Sequence, residues 1–193
     1  MATPYPFDPT ADCALCPRLA AFRETNRMTL PDGFNGAVPS FGDANAWLLI
    51  VGLAPGLKGA NRTGRPFTGD YAGSLLYATL VKFGLANGQY RQRADDGLRL
   101  HSCLISNAVR CVPPQNKPTG AEIARCQPFL AATIAGLPRL THILALGKIA
   151  HDAALRTLSA RLSHHPFRHG ALHRIGGLTL ADSYHCSRYN TNT

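Results

Sequence analysis

Two groups of residues in this 193-residue chain have the types and spacing to do chemistry. The first is a long turn. Gly52-Leu53-Ala54-Pro55-Gly56 leads through Gly59-Ala60-Asn61-Arg62-Thr63 into Gly64-Arg65-Pro66-Phe67-Thr68-Gly69-Asp70. It follows the apolar run Trp47-Leu48-Leu49-Ile50-Val51. A strand ending in glycines presents backbone N–H groups at the carboxyl edge of a sheet, where open α/β sheets place their sites. An aromatic plate (Phe67), one carboxylate (Asp70) and nearby arginines suit a base and its phosphates better than a dinucleotide. The turn is longer than G-x-G-x-x-G and lacks the Gly-Lys-Ser/Thr of a P-loop.

The second group is the cysteines. Cys13-x2-Cys16 and Cys111-x14-Cys126 offer four thiolates, a donor set for a [4Fe–4S] cluster or for zinc. Zinc sites more often show two short-spaced pairs, so the wide second pair favours the cluster. Burial without a metal explains Cys103, inside an apolar run, better than Cys13 and Cys16 in a polar, proline-flanked segment. The opening residues lack the basic and apolar regions of a signal peptide, so a disulfide framework is not expected and the cytoplasm is.

Histidines supply a third possibility. His164, His165, His169 and His173 lie in a Pro/Gly-broken stretch with no acidic neighbour in sequence, which reads as a solvated or locally bonded loop rather than a metal site. His185 differs. It follows an apolar run in Asp182-Ser183-Tyr184-His185-Cys186-Ser187-Arg188-Tyr189-Asn190, so topology brings it to the same edge as Gly52 to Asp70.

The elements that must position these residues alternate. Strands are predicted over 47–51, 100–109, 141–146 and 178–182. Helices are predicted near 18–27, 74–83, 119–135 and 148–162. Thr119 and Glu122 form a capping box at the start of the third helix. Residues 87–97, 113–118 and 164–174 read as loops, and 183–193 as a polar tail. Strand–helix alternation implies a parallel sheet covered on both faces. The length suits one domain, residues 1–193.

Twenty Lys+Arg against eleven Asp+Glu give a formal charge of +9, which favours a polyanionic partner such as nucleic acid. No apolar run approaches the ~18 residues needed to span a bilayer.

Four ordered motifs now carry a resemblance: Gly52-Leu53-Ala54-Pro55-Gly56; Gly64-Arg65-Pro66-Phe67-Thr68-Gly69-Asp70; Asn107-Ala108-Val109-Arg110-Cys111-Val112-Pro113-Pro114; and His185-x-Ser187. Together they resemble the uracil-DNA glycosylase superfamily, specifically its broad-specificity iron–sulfur branch (family five, type b), from Cys13 to the end of the chain. The resemblance implies a three-layer α/β/α sandwich with a central four-stranded parallel sheet. It implies a structural [4Fe–4S] cluster on Cys13, Cys16, Cys111 and Cys126, two of them from the N-terminal segment. The implied substrate is DNA carrying uracil, hypoxanthine or another deaminated base, handled by a monomer.

The chemistry of such an enzyme assigns roles to matching residues. A base inside a duplex must be flipped out. Phe67 is then the stacking plate, with Gly52 and Ala54 beside the base. Asn107 reads uracil N3–H and O4, since an amide offers one donor and one acceptor. His185 donates to O2, where charge grows as the glycosidic bond breaks. Asp70 is the carboxylate that stabilises the sugar cation and activates water, with a helix cap as its competing role. Pro55, Gly56, Arg65, Ser187 and Arg188 contact phosphates, and Tyr189 or Asn190 wedges into the gap left by the base.

The chain departs from the wider superfamily in two places. Ala54, Gly56 and Leu57 stand where most members carry a polar residue in the first motif, a lack typical of type b. Cys186 replaces the usual proline, loosening the loop or exposing a thiol. A non-catalytic iron–sulfur nucleic-acid-binding protein is the alternative. A branch that traps uracil DNA covalently needs a histidine that Val112 to Lys117 lacks.

Overall fold

The structure, a computed structural model, describes residues 5–191. In chain order its elements are α1 (Pro17–Thr29), β1 (Phe41–Gly42), β2 (Leu48–Gly52), α2 (Ala60–Thr63), α3 (Tyr71–Lys82), β3 (Ala86–Asn87), β4 (Arg99–Leu100), β5 (Cys103–Asn107), α4 (Gly120–Ala135), β6 (His142–Leu146), α5 (Lys148–Thr157), β7 (Leu172–Ile175), β8 (Leu178–Ser183) and α6 (Arg188–Thr191). The last two residues of the expected polar tail lie outside the described range.

The main sheet runs β1-β5-β2-β6-β8-β7. Its inner four strands are parallel, and β1 and β7 flank them antiparallel. The expected four-stranded parallel sheet is therefore the centre of a six-stranded mixed one. Both added strands were hard to read. β1 has only two residues, too few for any periodicity. β7 lies in the stretch expected to be a histidine-rich loop. Ile175 pairs with Leu178 across Gly176-Gly177, whose φ values of 53° and 86° suit a two-residue hairpin turn.

Other boundaries moved for local reasons. The predicted strand over 100–109 contracts to β5 because Ser102 turns to φ 58°. Residues 99–100 pair instead with 86–87. The helix expected to reach 162 stops at Thr157, just before Ser159 at φ 56°. Residues 188–191, expected to be irregular, make one helical turn.

The layers follow from strand alternation. Leu49 and Val51 of β2 face one side and join Leu104, Ile143 and Leu180 against α4 and α5, through Ile123, Leu130 and Ala154. Ile50 faces the other side with Ile105, against Leu76, Tyr77 and Leu80 of α3. Each fully buried aliphatic side chain contributes about 1.5–3 kcal/mol.

The capping box forms as read. Glu122 accepts from the Thr119 N–H at 2.7 Å, and Thr119 Oγ1 accepts from the Glu122 N–H at 3.3 Å. Glu122 also takes two hydrogen bonds from Arg18, at 2.8 and 2.7 Å. That ties the start of α4 to α1. Arg110, fully buried, donates to Asp8, Ser40 and Thr133 and pins the N-terminal segment to the same helix.

Candidate active site

The parallel register places Gly52 directly beside Asn107, at the carboxyl ends of β2 and β5. Gly52 is buried, and it must be glycine. A Cβ there would lie 2.4 Å from Asn107 Oδ1 and 2.6 Å from the Phe67 ring. The amide and the aromatic plate meet across a residue with no side chain. Asn107 is 3% exposed, and its side chain has no hydrogen-bond partner among the described residues. The residue lines the cleft, so a ligand there can meet both the donor and the acceptor of its amide.

Phe67 sits at φ 50°, a conformation that strains a bulky residue by about 1–3 kcal/mol. Its surroundings hold it there. Tyr77 donates to the Pro66 carbonyl at 2.7 Å, and Tyr90 donates to the Phe67 carbonyl at 3.2 Å while accepting from the Gly69 N–H at 3.1 Å. Gly73 gives the Phe67 carbonyl its place, since a Cβ there would be 1.8 Å from that oxygen. The ring stacks on His185 at a centroid distance of 5.7 Å.

Asp70 is the N-cap of α3, accepting from the Gly73 N–H at 3.1 Å. Its second oxygen lies over the glycine loop: a Cβ at Gly59 would be 2.5 Å from Oδ2, and one at Gly56 3.4 Å away. The carboxylate thus caps a helix with one oxygen and lines the cleft beside Gly56. His185 enters from the end of β8, its carbonyl accepting from Asn190 Nδ2 at 2.9 Å. Burial lowers its pKa, opposed in part by the negative charge of Asp70, so the imidazole is neutral near pH 7.

Together these residues line a cleft of about 340 Å³, which also takes in Ala54, Ser187 and Arg188. The Arg188 guanidinium lies 5.0 Å over the Tyr71 ring. Tyr189 is 89% exposed on the adjoining turn. The lining also includes Leu53, Ala60, Tyr71, Ala72 and Asn116, which the sequence reading did not single out. Asn116 was detectable in principle: it follows two prolines, and Asn tolerates the left-handed conformation it adopts at φ 57°.

Arg65 is a correction. It was expected on DNA, but it is turned inward and 3% exposed. Both terminal nitrogens bond Asp96 at 2.8 Å, within a cage of Phe41, Tyr77 and Tyr90. Burial raises the Asp96 carboxyl, but hydrogen bonds from Arg65 and two backbone N–H groups overcome it and hold the group at about 2. Asp96→Asn should lower unfolding free energy by about 3–5 kcal/mol, because it leaves a buried guanidinium uncompensated. Denaturant melts would show it, and a loss below about 1 kcal/mol would mean the pair behaves as a hydrated surface one. The depressed carboxyl contributes stability above pH ~4, and that stability is lost as pH falls towards 2.

Gly52→Ala should cut turnover by roughly 10²-fold, the usual scale for an ångström of misplacement at a site. A full activity in that variant, measured at equal folded fraction, would mean that Asn107 and Phe67 need not meet.

Cys13, Cys16, Cys111 and Cys126 line one recess, as the resemblance implied. The Arg110 N–H points at Cys126 Sγ, 3.3 Å away. Burial and the neighbouring Cys126 push the Cys111 thiol up to about 12, and burial raises Cys16 and Cys126. Arg23 Nε and Arg110 Nε are buried without hydrogen-bond partners. Arg110 is otherwise bound to Asp8, Ser40 and Thr133, and Arg23 to the Cys13 carbonyl, with Glu24 3.6 Å from its Nε; four thiols converging beside the Arg110 N–H fit a group that holds thiolate charge. Cys103 lies apart, buried in β5. Cys186, read as loosening the loop or exposing a thiol, is half-buried, and burial pushes its thiol up to about 11.

The histidine-rich stretch is also corrected. His173 stands in β7 with its Nε2 2.9 Å from Asp182, and His151 Nδ1 is 2.7 Å from the same carboxylate. The acidic partner is present, brought from β8.

Residues 39–193 match the model of the Uracil DNA glycosylase superfamily. The type-5 uracil-DNA glycosylase of Thermus thermophilus is 46% identical over 188 residues, 94% of this chain and 85% of the relative. The type-5 enzyme of Pyrobaculum aerophilum is 38% identical, covering 94% and 81%. That of Mycobacterium tuberculosis is 42% identical, covering 94% and 71%.

Proposed function

The chain belongs to the uracil DNA glycosylase superfamily, and on that premise we propose how its cleft releases a base. The protein excises uracil from DNA by hydrolysing the N-glycosyl bond, as its type-5 relatives do, and a purely non-catalytic role is not favoured. The observation that carries the mechanism is the meeting of Phe67, Asn107, His185 and Asp70 on one cleft.

The flipped nucleotide enters that cleft after a few kcal/mol of unstacking, least at a U·G mismatch. Phe67 stacks on the base. Asn107, whose amide has no protein partner, accepts from N3–H and donates to O4. Neutral His185 donates to O2 as charge develops there. Asp70 Oδ2 faces the sugar cation and orients water against it, while Oδ1 keeps the helix capped. Ala54, Ala60 and Ala72 leave room beside the base, which supports hypoxanthine as a second substrate. Ser187, Arg188 and Gly56 sit on the phosphates, while Pro55, expected there too, is buried and outside the cleft lining; Tyr189 or Asn190 fills the vacated stack. No lysine lines the cleft among the described residues, which supports a monofunctional enzyme that leaves an abasic site and does not cut the backbone.

Cys13, Cys16, Cys111 and Cys126 would hold a [4Fe–4S] cluster, whose contribution when bound is to cross-link the N-terminal segment to α4. Arg18, bonded to Glu122, and Arg110, bonded to Asp8 and Thr133, already brace that junction.

The test is end-labelled DNA with one U·G pair, incubated with the protein and then treated with hot alkali. Strand cleavage only after alkali is expected. Cleavage before alkali would overturn the monofunctional reading, and none at all, with DNA binding retained, would overturn the catalytic one.

A further inference from the structure

Asp182, His151 and His173 form a cluster of ligand-type side chains outside the cleft, drawn from β8, α5 and β7. One donor atom from each lies within 4.8 Å of the others. The side chains are 0%, 1% and 10% exposed. We infer that they bind one divalent transition-metal ion of zinc-like character, separate from the four-cysteine recess.

Two imidazoles and a carboxylate are a common donor set for such ions, leaving a fourth position for water or another side chain. His165 is the near candidate, its ring 5.5 Å from that of His173. The outer contacts are those that orient metal ligands. His151 presents Nδ1 to the cluster and turns Nε2 to the His165 carbonyl at 2.8 Å. The Arg168 N–H holds Asp182 Oδ2 at 3.2 Å. Ligating histidines typically donate their other N–H to a backbone carbonyl in this way.

Both His151 nitrogens are already aimed at oxygens, Nδ1 at Asp182 Oδ1 (2.7 Å) and Nε2 at the His165 carbonyl (2.8 Å). An ion at Nδ1 displaces any proton held there to solvent, while the Nε2–H keeps its bond to the His165 carbonyl. His173 ligates through Nε2 once its proton sits on Nδ1. The ion would clamp the 164–173 stretch to β8, three residues before His185.

The test is titration of the purified protein, its cysteine site intact, with Co²⁺ and then Zn²⁺. One equivalent of Co²⁺ should give ligand-field absorption without a thiolate charge-transfer band, be displaced by Zn²⁺, and bind at least about 100-fold more weakly in His173→Gln. X-ray absorption at the zinc edge of the wild-type protein needs no variant. A nitrogen/oxygen shell near 2.0–2.1 Å is expected, and a sulfur shell near 2.3 Å would overturn the assignment. No stoichiometric binding would also overturn it, leaving a hydrogen-bonded His151–Asp182–His173 group.

Discussion

Replacing Asp70 with asparagine should slow uracil release from a U·G duplex by roughly 10²–10⁴-fold while leaving DNA affinity nearly unchanged. The substitution isolates charge. Asparagine caps helices about as well as aspartate, so the bond from the Gly73 N–H survives and α3 keeps its start. What is lost is the negative oxygen over Gly56 and Gly59, the one placed to steady a sugar cation and orient water. Single-turnover rates and a binding isotherm on the same duplex would separate the two roles. Wild-type rates in Asp70→Asn would reduce Asp70 to a cap.

Replacing His185 with alanine should cost roughly 10²–10³-fold in the same assay, the usual loss of one donor at a developing oxyanion. Its pKa adds a physical signature. Burial lowers it below the ordinary 6.5 and Asp70 partly restores it. The His185 ring should therefore titrate below 6.5 by NMR, and lower still in Asp70→Asn. The unfolded chain takes up this proton near pH 6.5 and the native one only at lower pH, so this group's contribution to stability is lost as pH falls below about 6.5. An ordinary midpoint unaffected by Asp70→Asn would place the ring in water rather than in the cleft wall.

Much of this site is visible in the chain. Apolar runs followed by Gly52, Asn107 and Asp182-Ser183 predict that three polar segments converge on one sheet edge, and in the structure they do. The capping box at Thr119 is local chemistry, readable from spacing alone. That the four cysteines meet was implied by the resemblance; spacing alone does not show it, since tertiary folding has to join the second pair to the first.

What stayed hidden depends on distant partners. Arg65 lies in a motif turn and reads as a surface cation, but Asp96, from a polar loop, draws it inside. His151 and Asp182 are separated by a whole helix-to-strand passage, so neither announces the other. β7 looked like a broken loop because Leu172-His173-Arg174-Ile175 is half polar, as edge strands are. The Gly176-Gly177 turn was the signal that should have revealed it.

The stacking plate, the helix cap and the carboxylate all come from one short stretch, Phe67 to Gly73, locked by a carbonyl that leaves no space for a side chain at residue 73. Such a stretch cannot drift piecemeal: a change at any position disturbs plate and carboxylate together. Ala54 and Ala60 line the same cleft from outside that stretch, so lineages that alter which base is accepted should record their history in those two alanines while the stretch beside them stands still.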